Sequence, residues 1–258
     1  VPDAPRLPLP QSGHAREIAL LALDQARESV KAAANGFHGR LRVALSDGIS
    51  PSRLPALLAR CREEDPEIEI RLFEVPLGQQ LRGLHEDLYD LGFAQSPEVG
   101  DGIVAMPAWS DPLVVAVPAR HPLLAYQRIP LDEVLRHPLV ACDPQSCEGH
   151  CHQIRRILRG ADREPLVVEQ VSSHDLMLTL VAAGYALALV GASHLAASRR
   201  EEVVARPLAG RSQVLTTWLL RRDAEPSGTL RRFIERVTPI SDPSHEGDSF
   251  TSDTLGEN

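Results

Sequence analysis

Between Gly39 and Ala94 two kinds of apolar period alternate, and this alternation limits the possible folds more than any other feature of the chain. Gly39-Arg-Leu-Arg-Val-Ala-Leu45 steps by two, as a half-buried strand does. The turn Ser46–Ser50 leads into a segment with Pro51 at its start and Leu54, Leu57, Leu58 and Cys61 on one helical face. Asp65-Pro66 breaks that helix, and 67–75 steps by two again through Ile68, Ile70 and Leu72. Leu77, Leu81, Leu84 and Leu88 mark a second helix, and 90–94 a third strand. The order β-α-β-α-β predicts a parallel sheet with right-handed crossovers, since parallel neighbours need a connection long enough to hold a helix.

The alternation resumes further on. Leu113–Val117 reads as a strand ended by Pro118, Leu131–Leu135 as a short helix and Pro138–Ala141 as a strand. A helix is expected over 150–160 and a strand over Val167–Gln170. Ser173 caps an apolar helix, Leu176–Ala183, stopped by Gly184. Ala186–Val190 and Val214–Leu220 read as strands, Ser193–Ser198 as a helical turn and Leu230–Val237 as a last helix. Two α/β lobes joined by strands that cross between them fit this order better than one sheet. Residues 1–11 hold four prolines and no apolar period, which predicts an extended arm. Residues 12–36 carry a narrow small-residue stripe from Ser12 to the stop at Asn35-Gly36, suited to packing on another helix, such as that of a second copy. Nothing after Thr238 predicts order.

Charge excludes some functions. The net charge is −8, and the segment 238–258 supplies five acidic residues and no Lys or Arg. The rest holds 27 basic against 30 acidic residues, too balanced for a module that grips duplex DNA by itself. No apolar run reaches membrane-spanning length and no secretion signal opens the chain, so the expected place is the cytoplasm. The four cysteines, at 61, 142, 147 and 151, are then expected as thiols. No P-loop, G-x-G-x-x-G after a strand, G-x-S-x-G or H-E-x-x-H occurs, so binding without catalysis is the favoured reading.

In open α/β sheets ligands bind beyond the carboxyl ends of the strands. The loops Ser46–Ser50, Gln95–Gly102, Cys142–Gly149, Val171–Ser173 and Val190–Ser193 all fall there. Each serine alone could be only a helix cap; together, five polar loops facing one cleft point to a small-molecule site. One loop is unusual: Cys142-x4-Cys147-x2-His150-Cys151-His152. Zinc or copper(I) could use these ligands, and a thiol pair could sense oxidants. The spacing lacks a C-x2-C pair, and His174 and His194 stand apart in sequence. A polar loop lining the cleft, with no metal and no cofactor, is therefore preferred.

Five segments stand out together: Gly39-Arg-Leu-Arg-Val-Ala, Asp65-Pro66, Asp90-Leu-Gly-Phe, Pro112-Leu-Val-Val-Ala-Val-Pro-Ala-Arg-His-Pro-Leu123 and Leu180-Val-Ala-Ala-Gly-Tyr-Ala-Leu-Ala-Leu-Val190. On these the sequence resembles LysR-type bacterial transcription regulators. The resemblance implies two Rossmann-like subdomains of the type II periplasmic-binding-protein sort. These would be 38–117 with 220–237, and 118–219, preceded by a dimerising linker helix over 12–36. Residues 6–13 are similar to the end of the family's winged helix-turn-helix, the rest of which is absent. The implied partners are a small metabolite effector, promoter DNA through that missing domain, and further copies of the chain in a dimer or tetramer; no membrane is implied. Carried over by position, the effector would meet Ser46, Asp47, Ser50, Gln95, Ser96, Cys142, Asp143, Gln145, His150, Ser172 and Val190. Asp47 sets a negative charge where an anion would sit. The cysteine-rich loop falls where the family's peroxide sensors carry reactive cysteines, at a different spacing. A transporter's solute-binding protein and a tetrapyrrole-synthesis deaminase are rivals on the same fold, and a thiol or metal sensor is a variant of the regulator.

Overall fold

The computed structural model describes residues 39–46, 48–49, 53–159 and 161–237. The expected arm, linker helix and acidic tail, and also Asp47 and Ser50, lie outside the described residues. The first lobe follows the sequence order: β1 (Gly39–Leu45), α1 (Arg53–Glu64), β2 (Ile68–Glu74), α2 (Leu77–His85) and β3 (Leu91–Ala94). β1 lies between β2 and β3 and is parallel to both. Its period of two divides it between two cores. Leu41 and Val43 pack with Leu57 and Cys61 of α1, while Ala44 packs with Leu77 and Leu84 of α2. Helices thus cover both faces, as a parallel sheet requires.

One strand then enters both lobes. β4 (Ile103–Pro118) is 16 residues long, and sequence periodicity detected only its second half. It runs antiparallel to β9 (Val214–Arg222), with Ile103–Pro107 opposite Arg222–Trp218 in the first lobe. The register slips between Pro107 and Trp109, leaving Ala108 as the irregularity. Pro112, opposite Val214, lies in the two-stranded crossing, so neither proline interrupts a central ladder. Beyond it β4 pairs with β7 (Ala188–Gly191) and β8 (Val203–Pro207) of the second lobe. β8 is an edge strand that the sequence reading missed; it is short and ends in proline.

The second lobe adds a 3-10 turn (Pro122–Ala125), α3 (Leu131–Val134), β5 (Leu139–Cys142), α4 (Glu148–Leu158), β6 (Val167–Val171), α5 (His174–Ala182) and α6 (Ala192–Ser198). β5 and β6 are parallel, and a bridge from Leu139 to Leu187 ties them to the segment entering β7. This sheet too is covered on both faces. Val114, Ala116 and Val190 face Met177, Leu178 and Leu195, while Leu113, Val115 and Leu189 face Ile129, Val134 and Ile154. Each fully buried Val, Leu or Ile contributes about 1.5–3 kcal/mol. The last helix, α7 (Gly228–Val237), returns to the first lobe, where Phe233 and Val237 are buried. Arg236 fastens it to α1 through Glu64 at 2.5 Å and Asp65 at 2.6 Å. All four cysteines are buried thiols. Among the described residues no helix is long and apolar enough to cross a membrane.

Candidate functional site

β1 and β2 of the first lobe, and β5 and β6 of the second, end toward a cleft of about 560 Å3 between the lobes. On the first-lobe side the wall is built on Gln80, which is fully buried in α2. Its side-chain amide donates to the carbonyls of Ala44 at 3.0 Å and Phe93 at 3.2 Å. The Ser46 hydroxyl donates to its carbonyl oxygen at 3.1 Å, which holds Ser46 at the cleft edge. Sequence reasoning missed Gln80. The signal was available: it is a polar residue on the buried stripe of Leu77 and Leu84.

Among the described residues, two brackets bring the lobes together beside the crossing strands. Gln153 of α4 donates to the Gln95 carbonyl and the Thr216 carbonyl, both at 2.7 Å, and accepts from the Thr216 amide at 2.8 Å. One turn earlier on the same helix, His150 Nδ1 lies 3.2 Å from the Gln95 side-chain oxygen. The second bracket is a close approach. Gly48 has a φ of +63°, and a methyl group there would lie 2.7 Å from His174 Nδ1. Glycine is required twice over, for the left-handed backbone and for the space. Gly48→Ala is expected to cost about 1–2 kcal/mol from backbone conformation alone, before His174 is displaced. Urea unfolding would measure it.

Three imidazoles meet at this contact. The rings of His150 and His174 pack edge to face at 4.6 Å, and His174 and His194 stack at 4.5 Å. Burial, then the nearby His194, pushes His150 down to about 4, although a bond to the Leu189 backbone works the other way. Burial, then His150 and His194, holds His174 well below the usual range. Burial also lowers His194, against the pull of Asp111 and Asp175. All three rings are neutral at neutral pH, each with one donor and one acceptor nitrogen. His194 is positioned by the start of α6, where the Asp111 carboxylate accepts from the Ser193 amide at 3.1 Å and its hydroxyl at 2.5 Å.

The structure distributes the expected site residues unevenly. Ser46, Gln145 and Ser172 line the cleft, together with Ser173, His174 and His194. Gln95 and His150 are buried in the inter-lobe contact, and Ser96 is buried in its own loop, where its hydroxyl accepts from the Glu98 amide at 3.1 Å. Asp143 organises its own turn, accepting from the Gln145 amide at 3.2 Å and the Ser146 hydroxyl at 3.1 Å. Val190 is fully buried in the second-lobe core, because its strand position points inward with Ala188. The cysteine–histidine loop does not converge as a unit. Cys151 donates to the Cys142 carbonyl at 3.0 Å, Cys147 lies 3.9 Å from the Ser172 carbonyl, and His152 pairs with Glu98 at 3.3 Å. Cys142 and His150 instead meet His174, from a different element.

Two lobes on a pair of crossing strands, with strand-end loops meeting over a polar cleft, define a type II periplasmic-binding-protein-like fold. The family model described as LysR substrate binding domain matches residues 34–239, and the chain belongs to that family. It is 23% identical over 176 residues to the HTH-type transcriptional regulator AlsR of Bacillus subtilis, covering 68% of this chain and 58% of that one. It is 31% identical over 134 residues to a probable hydrogen peroxide-inducible genes activator of Mycobacterium avium, covering 50% and 42%. The chain thus spans about half the length of these relatives. Among solved structures, the BenM effector binding domain with its effector benzoate superposes with a TM-score of 0.70 at 23% identity, covering 78% of this chain and 91% of that one. Full-length CbnR complexed with its target DNA gives 0.75 at 24% identity, covering 88% and 81%.

Proposed function

We propose that the chain is the effector-sensing part of a LysR-type transcription regulator, and that it binds a small polar metabolite in the inter-lobe cleft without converting it. The observation that carries this reading is the cleft itself: hydroxyls and neutral imidazoles line it, and both lobes contribute. Ligand bound there would change the contacts of Gln95 and Gly48 with the second lobe. A ligand that fits one lobe arrangement better than another shifts the balance by its difference in affinity. In the whole protein, that shift would alter how copies assemble and hold promoter DNA in the cytoplasm. BenM's benzoate and AlsR's regulator description support the assignment by analogy.

The lining among the described residues includes Glu74 and Asp175 and no Arg or Lys. The effector is therefore read as a molecule recognised by hydrogen bonds more than by charge. Thermal unfolding with a panel of organic acids, amino acids and neutral polar metabolites tests this. A true ligand at 100 times its dissociation constant adds about 2.7 kcal/mol to the native state. Ser172→Phe, at an exposed position of the wall, is expected to remove that shift and leave the unliganded melting temperature nearly unchanged. A ligand shift that survives Ser172→Phe would place binding elsewhere.

A further inference from the structure

Cys142 ends β5, His150 lies in the first turn of α4, and His174 opens α5. Their ligand atoms all lie within 4.8 Å of one another, and all three side chains are buried. We propose that Cys142, His150 and His174 form a binding site for one borderline-soft divalent cation, Zn2+ above all, on the second-lobe wall of the cleft.

The donor set argues for this class of ion. One sulfur and two imidazole nitrogens suit Zn2+, whereas Mg2+ and Ca2+ require oxygen ligands that this triplet lacks. Three protein ligands also leave a tetrahedral ion one position for water or another molecule. On binding, the Cys142 thiol loses its proton to solvent as the sulfur–metal bond forms, both imidazoles bind in the neutral form, and the His150 nitrogen that takes the metal gives up its present hydrogen bond.

The surroundings meet the two other requirements of a metal site, support behind the ligands and a way in. His150 is braced from the other lobe by the Gln95 side chain at 3.2 Å. His174 is fixed at the head of a helix whose cap, Ser173, accepts from the Leu176 amide at 3.3 Å. His174 faces the large cleft, while Cys142 and His150 border a second pocket of about 160 Å3 that opens on the second lobe's surface. The triplet thus stands in the partition between two spaces, and an ion could reach it from the cleft. All three ligands belong to the second lobe, so the inference does not depend on the cleft's being an effector site.

The test uses the full chain, reduced and stripped with a chelator. Zn2+ is titrated in competition with a chromophoric chelator, and Co2+ is added separately as a spectroscopic probe. The expected result is one Zn2+ per chain, with a Co2+ spectrum showing tetrahedral d–d absorption and a thiolate charge-transfer band. Cys142→Ser and His174→Gln should each weaken Zn2+ binding about 100-fold or more, and Cys142→Ser should abolish the charge-transfer band. Cys61→Ser, in the first lobe, should change neither. Thermal melts of the metal-free variants check that each folds. If Cys142→Ser does not fold, the Co2+ spectrum of the native chain and the His174→Gln titration decide the matter. Failure to compete with the chelator, an octahedral Co2+ spectrum without a thiolate band, or unchanged affinity in His174→Gln would overturn the proposal. A metabolite shift without Zn2+ binding would overturn this inference and leave the effector reading standing; Zn2+ binding without any metabolite shift would do the reverse.

Discussion

The metal-free protein is expected to lose stability steadily as pH falls from about 6.5 toward 4. In the unfolded chain a histidine takes up its proton near pH 6.5, while His150 in the native state resists until about 4. Below 6.5 the unfolded state therefore binds more protons, and stability falls with falling pH. Above 6.5 neither state is protonated and the slope vanishes. Below about 4 both are protonated and the loss from His150 stops growing. That interval is worth about 3 kcal/mol for His150 at 1.36 kcal/mol per pH unit. His174 and His194 act in the same direction, though rings in contact titrate together and their effects do not add.

Carboxylates do not account for the upper part of this window. Glu64 is held below its ordinary range by hydrogen bonds from Arg60 and Arg236, and Asp65 chiefly by Arg236, so their contribution is lost only at still lower pH. His121, lowered by partial burial and by His137, adds in the same direction as the cluster. Urea unfolding in steps from pH 7.5 to 5 would measure the slope. His150→Gln separates the cluster from the rest: its overall stability is lower, but its slope between pH 6.5 and 5 should be clearly shallower. Equal slopes in the native chain and the variant would contradict neutral burial of His150.

Local and tertiary information divide cleanly in this chain. β1, α1, β2, α2 and β3 were legible because each buries a face whose period is written in consecutive residues. Leu41 with Val43, and Leu77 with Leu84, belong to that class. The first half of β4 was not legible. Pro107 and Pro112 argue locally against a strand, and only pairing with β9 at a bulge and a two-stranded crossing accommodates them. At the site, Ser46, Gln145 and Ser172 followed from the rule that ligands meet strand ends. The histidine cluster did not, because His150, His174 and His194 belong to three helices whose meeting is a property of the sheet. Sequence spacing pointed to Cys147, Cys151 and His152 as companions of Cys142, and helix geometry turns them toward other partners. Gln80 and Gln153 carried a readable mark, a polar residue on a buried helical face, whose meaning depends on which carbonyls lie opposite.

Gln80 supports the last prediction. The side chain crosses from α2 to the ends of β1 and β3 and passes directly over Gly92. A methyl group at 92 would lie 2.0 Å from the Gln80 amide nitrogen. Two residues therefore share one volume, and each constrains the other. Gln80→Ala removes two donated bonds and leaves the Ser46 hydroxyl to the Phe93 carbonyl, 3.5 Å away. Lost bonds and an unfilled space together should cost about 2–4 kcal/mol. Gly92→Ala with Gln80 intact forces the amide off its carbonyls, at about 1–3 kcal/mol for overpacking. In the double variant, the new methyl group enters space that Gln80 no longer fills. Its cost should fall short of the sum of the single costs by about 0.5–3 kcal/mol, the range expected of residues in contact. Denaturant unfolding of the four proteins completes the cycle. The same variants separate stability from sensing. Gln80→Ala removes one of the bonds that hold Ser46 at the cleft edge, so any metabolite found by thermal shift should bind more weakly to it. Gly92→Ala in the Gln80→Ala background should cost little further stability and recover no affinity, because the methyl group cannot hold the Ser46 hydroxyl. Recovered affinity in the double variant would show that Gln80 acts at the cleft only by filling space.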